Sequence, residues 1–167
     1  MNNKEKKIGI LVKSFGRKKT SFANHYIAQT AYFEFKQSNA KVFSQFNVPL
    51  RLDVKATYAE KFVDEKLSIL EFCRRAIDWV RENEIEEVVL ITAGPFAPRL
   101  LRDLTYLAEE NQLSLRFEIA EKVNRTDERT WFGVSALEEW TRKVEKCRVR
   151  EKYFLKIPWS MYKRMNI

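Results

Sequence analysis

The run VVLITA at residues 88–93 leaves no position for a side chain that faces water. A half-exposed strand alternates apolar and polar residues. A run that is apolar throughout is what a short strand shows when helices cover both of its faces, as they do in parallel sheets. The rest of the chain supplies those helices and the companion strands. IGILV, at 8–12, is short, partly β-branched and followed by a turn at Gly16, so a first strand is predicted over 8–15. Thr20 and Ser21 are good N-caps for a helix over 21–37, whose Ala23, Ile27, Ala31 and Phe35 recur every four residues.

Val42, Phe46, Val48, Leu50 and Leu52 share one parity. They predict a strand over 41–46 that turns irregular around Pro49, because proline cannot donate to a central ladder. Phe62, Leu67, Leu70, Cys73, Ile77 and Val80 give a helical pattern over 58–83, as one helix or as a short one over 58–66 followed by another over 67–83. Leu100, Leu101, Leu104 and Leu107 predict a helix over 98–111, and SLRFEIA at 114–120 alternates as a strand does. A helix over 134–147 carries Glu138, Glu139, Arg142 and Lys143 on a solvated face, in acid-first i, i+4 pairs. The tail YFLKIPWSMYKRMNI is aromatic, basic and broken at Pro158, and no element is assigned to it.

Strands alternating with helices specify βαβ units. The fold class expected is α/β: a single Rossmann-like three-layer domain over 1–167, with a mostly parallel sheet flanked by helices and an aromatic, basic segment at 148–167. The 167 residues suit one core. No apolar stretch approaches the length of a membrane span, and IGILV is too short for the apolar region of a signal peptide. Cys73 and Cys147 are the only cysteines and His25 the only histidine, which excludes a His/Cys zinc cluster and fits a reducing, cytoplasmic setting. No metal is expected, and no cofactor can be named. The net charge of +8 is uneven: residues 1–20 carry +6 and residues 141–167 carry +7, which leaves −5 on the other 120 positions. Basic ends on a mildly acidic body favour local anion contacts over a broad binding face.

In an open parallel sheet, ligands bind beyond the carboxyl ends of the strands, where strand order reverses. Two strand ends are candidates. The loop from Lys13 to Ser21 offers Ser14, Gly16, Arg17, Lys18, Thr20 and Ser21 at a helix N-terminus, with His25 one turn on, and exposed N–H groups there favour an anion. It matches neither a Walker loop nor a GxGxxG fingerprint, and its ordinary alternative is an exposed basic connection. The second loop, TAGPFAPR, offers Thr92, Gly94 for a close backbone approach, and Arg99 as a bidentate clamp in the first helical turn. Its alternative is an Arg99–Asp103 pair at i, i+4. No Ser-His-Asp order, nucleophile elbow or acid/base couple is present.

The succession of strand, loop, arginine-bearing helix, strand, charged helix and aromatic tail over about 85–147 resembles the YdcF-like family of α/β domains, which includes SanA-like and ElyC-like proteins. That family carries a His-x-x-Arg pair at the helix start. VVLITAGPFAPR places Arg99 on the arginine and Phe96 on the histidine, and Ser68 and Glu71 echo the family's Ser/Thr-Glu-Asn helix start out of register. The stretch AGPF also looks like the loop after the first strand of nucleoside deoxyribosyltransferase-like proteins. The function expected is binding of an anionic small molecule, phosphate- or nucleotide-bearing, at the joint mouth of the two loops, by a hydrolase, a transferase or a non-catalytic relative. The alternative is nucleic-acid binding or scaffolding through the basic ends, with Trp159, Tyr162, Lys163 and Arg164 as stacking and phosphate-contacting residues. Homo-oligomer assembly through Trp131, Phe132 and Trp140 is a third reading.

Overall fold

Five parallel strands lie side by side in the order β3-β2-β1-β4-β5. The computed structural model of the chain describes residues 6–16, 21–62, 65–132 and 144–165. β1 (Ile8–Val12) and β4 (Glu87–Ile91) form the centre, paired in register from Ile8↔Glu87 to Val12↔Ile91. Ile10, Leu11, Val12, Val88, Leu90 and Ile91 are fully buried, as their unbroken apolar runs require. β2 (Lys41–Ser44) and β3 (Ala56–Tyr58) extend the sheet on one side, and β5 (Arg116–Ile119) closes the other. β5 shows the exposed/half-buried alternation of an edge strand, which its sequence predicts.

Strand order reverses between β1 and β4, because β1 leads outward to β2 while β4 leads the opposite way to β5. Right-handed crossovers then put α1 (Phe22–Ser38) on one face, and α2 (Ile69–Glu82) and α3 (Ala97–Glu110) on the other. In agreement, α1 packs on β1 while α2 packs on α3. The result is a Rossmann-like three-layer α/β domain. α4 (Glu121–Asn124) follows β5, and the turn at Glu128–Trp131 returns the chain to α1 through an edge contact of Trp131 with Tyr26. α5 (Val144–Lys156) and α6 (Trp159–Tyr162) complete the chain against α3.

The predicted helix over 58–83 requires correction. Residues 56–58 pair with β2 as a short edge strand, and the helix begins only at Ile69. Arg75 on α2 fixes the intervening segment as a loop by donating to the Ala59 carbonyl at 2.6 Å and to both Glu65 oxygens at 3.0 and 2.6 Å. Phe62, counted in the helical pattern, is 61 % exposed. Strand β2 ends at Ser44 rather than 46. The predicted helix over 134–147 falls largely outside the described residues; α5 runs on to Lys156, through part of the tail left unassigned.

Gly9, in the middle of β1, is where the α2 face presses closest on the sheet. A Cβ there would stand 3.0 and 3.1 Å from ring atoms of Trp79 and 3.1 Å from Ile85 Cγ2. Gly9→Ala is expected to cost about 1–3 kcal/mol, because the buried indole must shift to admit one methyl. Urea denaturation should show a lowered midpoint with an unchanged slope.

Candidate functional site

The two loops singled out from the sequence meet at the switch point. Continuing the register one step past the ladder sets Gln45, Lys13 and Thr92 side by side at the carboxyl ends of β2, β1 and β4. Lys13 N donates to Ile91 O at 2.9 Å and Gln45 N to Val12 O at 3.3 Å, so backbone pairing carries over into this layer.

Side chains hold the two described ends of the β1–α1 connection, 13–16 and Ser21. Gly16 takes φ 71°, the left-handed conformation that only glycine adopts without strain. Ser21 caps α1 by accepting from Asn24 N at 3.2 Å, and Asn24 Oδ1 in turn accepts from Phe15 N at 2.8 Å. Gln45 Oε1 accepts from both Ser14 Oγ (2.8 Å) and Ser14 N (3.2 Å). Ser14 and Ser21 are thus occupied inside the fold. Arg17, Lys18 and Thr20 lie outside the described residues. His25 is exposed, in the first turn of α1.

Lys13 is the group the sequence did not single out. Its side chain is 7 % exposed, among the described residues its ammonium donates only to Ser14 O at 3.3 Å, and it sits 6.0 Å from the ring centroids of Phe72 and Phe96. No carboxylate among the described residues stands within ion-pairing distance of it. Burial, and secondarily the Arg99 guanidinium, push its pKa down to about 8. A lysine carrying three donors with one weak acceptor is an unusual occupant of an interior.

On the β4 side, Thr92 is fully buried and its Oγ1 has no hydrogen-bond partner among the described residues. Gly94 starts a 3₁₀ turn that leads directly into α3, and its open face is taken by the indole of Trp131, whose Nε1 would lie 3.1 Å from an added Cβ. The close approach that this glycine permits is therefore to a side chain of the fold. Trp131 is 2 % exposed and Phe132 meets Phe15 edge-on at 5.5 Å, so both aromatics are committed internally; Trp140 lies outside the described residues.

Arg99 is in the first turn of α3 at the strand ends, as predicted, but it is not an open clamp. Its partner is Glu151 of α5: Nε lies 2.8 Å from Oε2, with the two side chains 3 % and 6 % exposed. The contact is an ion pair without a directed proton, since among the described residues neither Arg99 Nε nor either Glu151 oxygen takes part in a hydrogen bond. Burial raises the Glu151 pKa against the pull of Arg99 and Arg150. The i, i+4 alternative fails as well. Asp103 accepts from Arg102 Nε and Nη2 at 2.9 and 2.7 Å and from Tyr162 Oη at 2.8 Å.

That last contact explains the aromatic tail. Tyr162 is buried against α3, Trp159 stacks on Tyr106 at 5.0 Å, and both Trp159 Nε1 (3.0 Å) and Lys163 Nζ (2.6 Å) donate to Glu110. Trp159, Tyr162 and Lys163 thus pack this segment on its own domain. The thiols of Cys73 and Cys147 are both buried and free; burial holds the first well above its usual pKa and the second up to about 12, so neither is a nucleophile at neutral pH.

A cavity of about 380 Å³ lies on the α1 face, lined by Tyr26, Gln29, Thr30, Lys122, Arg125, Thr126, Asp127 and Thr130. Lys122 there lies over the Phe33 ring at 3.5 Å and Thr126 Oγ1 meets Tyr26 Oη at 3.0 Å, so its polar lining is largely self-satisfied. Among the described residues no group of three His, Cys, Asp or Glu side chains is placed to hold a metal, and no helix is long and apolar enough to cross a membrane. Set against family models, curated proteins and solved structures, the chain matches none.

Proposed function

We propose that this protein binds an anionic small molecule, phosphate- or nucleotide-bearing, at the carboxyl ends of β1 and β4. The observation that carries the reading is Lys13: a buried ammonium at the switch point, with one long hydrogen bond and no acid paired to it among the described residues. Burying an unpaired charge weakens a fold, and such charges are retained where a ligand supplies the missing partner. Thr92, with a buried hydroxyl lacking a partner, provides a second polar group at the same level of the sheet. The resemblance to YdcF-like proteins enters through Arg99, the member of the His-x-x-Arg pair that is present; Phe96, at the histidine position, packs on Phe15 at 5.0 Å.

A thermal-shift panel of nucleotides, sugar phosphates, S-adenosylmethionine and a short oligonucleotide, at low and moderate salt, tests this. A ligand at ~100 times its dissociation constant stabilises a fold by about 2.7 kcal/mol. One small anion should shift the wild type and leave Lys13→Met unshifted. The reading fails if no small anion shifts the protein, or if Lys13→Met responds as the wild type does. A second reading, nucleic-acid binding, is favoured by α5, which exposes Lys152, Tyr153 and Lys156 to solvent. A shift with the oligonucleotide alone, fading steeply with salt, selects it.

A further inference from the structure

Lys13 is the only buried lysine among the described residues. It stands one residue past the last rung of the β1–β4 ladder, at the carboxyl end of the central strand. Thr92 is its neighbour in that layer, and paired positions of a parallel ladder project from the same face. The ammonium lies 6.0 Å from the centroids of both the Phe72 and the Phe96 ring. Its one hydrogen bond among the described residues, to Ser14 O, is long at 3.3 Å. Phe15 packs on Phe96 at 5.0 Å and extends the apolar wall. Thr92 Oγ1 adds a buried hydroxyl with no hydrogen-bond partner among the described residues.

This is a poor seat for a lysine whose whole task is to attract an anion. A cation kept for that purpose holds its proton firmly, and a planar guanidinium does so better. Here burial, then Arg99, act against the proton, while Cys73, Glu60 and Glu151 act for it with smaller effect. The Lys13 pKa is brought down to about 8, so roughly a tenth of the molecules carry a free amine at pH 7. An exposed lysine, at 10.5, offers ~300-fold less. Apolar surroundings and a neighbouring cation are the two devices that turn a lysine into a nucleophile.

We propose that Lys13 condenses with the carbonyl group of a small anionic aldehyde or ketone and holds it as an iminium ion. The inference rests on the anion-binding reading above and names the substrate class. The free amine attacks the carbonyl carbon, the C=O π pair moves to oxygen, and a proton passes from nitrogen to that oxygen, giving a carbinolamine. The nitrogen lone pair then expels the oxygen as water, which takes the proton shed when the ammonium became an amine. Ammonium and carbonyl compound thus give iminium and water, with no oxidant or reductant. The charge at Lys13 is the same before and after, so the acidic group of the ligand keeps its partner throughout. Thr92 Oγ1, in the same layer, is the donor available to the carbonyl oxygen. Addition of water to the iminium reverses the sequence and releases the ligand.

The test uses the full chain at pH 7 with sodium cyanoborohydride, which reduces an iminium to a stable secondary amine. Because Lys13 is 7 % exposed, the probes are the smallest anionic aldehydes, glyoxylate and glycolaldehyde phosphate, with neutral glycolaldehyde as control. Peptide mass mapping reads the label at each lysine. At least one anionic aldehyde is expected to label Lys13 about tenfold or more above any exposed lysine, and neutral glycolaldehyde to label it about tenfold less. The preference should vanish in urea, because the fold creates it. Label confined to exposed lysines overturns the proposal, and so does a preference for Lys13 that survives unfolding. Equal labelling of Lys13 by neutral glycolaldehyde overturns the anionic substrate class. If a nucleotide or sugar phosphate of the thermal-shift panel binds while Lys13 stays unlabelled, this inference falls alone; if no anion binds and Lys13 stays unlabelled, both readings fall.

Discussion

Arg99→Met is expected to cost about 3–5 kcal/mol of folding stability, more than any single apolar truncation at the surface of this domain. The loss comes less from the attraction removed than from what is left behind. Glu151, 6 % exposed and without a hydrogen bond, becomes a buried carboxylate with its contact partner gone. Its pKa, already raised by burial, rises further. A carboxyl whose folded pKa exceeds its unfolded value destabilises the fold at neutral pH, and the penalty is relieved as pH falls through the folded value. The deficit of Arg99→Met should therefore shrink as the pH is lowered from neutrality. Adding Glu151→Leu should restore most of the lost stability at pH 7, since exchanging both members of a buried pair for apolar groups is often neutral or favourable. Chemical denaturation of the two single variants and the double variant measures the coupling directly. If Arg99→Met costs less than ~1 kcal/mol, the pair is not buried as described. A corollary concerns binding studies: Arg99→Ala confounds loss of a ligand contact with loss of fold.

Lys13→Met is expected to do the reverse and stabilise the protein. The folded ammonium has a pKa near 8 against 10.5 for an exposed lysine. That difference corresponds to about 3 kcal/mol spent at pH 7 on keeping the charge inside. Methionine fills a similar volume without that cost, so its melting temperature should be higher by roughly 6–12 °C for a domain of this size. The pH dependence identifies the cause. Below about pH 8 Lys13 is charged in both states. Between about 8 and 10.5 the unfolded chain retains a proton that the folded chain has released, so wild-type stability gains on the variant as pH rises. The raised thiol pKa values of Cys73 and Cys147 act in the opposite direction. A variant that gains stability and loses its ligand response would place Lys13 among residues kept for binding at the expense of the fold.

The centre of this fold is legible in the chain and its rim is not. The runs at 8–12 and 88–91 have no polar position, so two-sided burial follows from composition alone. β3 has three residues, Ala56, Thr57 and Tyr58, half-buried or exposed, and so carries no hydrophobic signature. Helical spacing from Phe62 onward masked it, although Ser68 and Glu71 form the stronger signal: Ser68 Oγ accepts from Glu71 N at 3.1 Å and starts α2 there. α5 was cut short for a related reason. Its buried stripe is Cys147, Glu151 and Phe154, and a carboxylate in the middle position breaks the apolar period on which helix recognition depends. Both strand-end loops were found because glycine, proline and hydroxyl residues mark them locally. Lys13 is not legible as buried because a cation after a strand reads as solvent-exposed, and the rings beside it are Phe72 of α2 and Phe96 of the 3₁₀ turn, dozens of residues away. The same distance hid Asp103's partner, Tyr162, 59 positions along the chain.

The pairing of β1 with β4 also governs how the chain can be made. Ile8 has its sheet neighbour at Glu87, so one edge of the most apolar strand stays open until the second half of the domain has left the ribosome. At ~5–20 residues per second that interval is roughly 4–16 s. During it β1 can pair only with β2, presenting bare backbone and the side chains of IGILV to any other nascent chain. Non-local pairing of this kind slows folding and exposes intermediates to aggregation. Synthesis rate and chaperone supply should therefore govern the yield of folded protein more than the stability of the finished fold does.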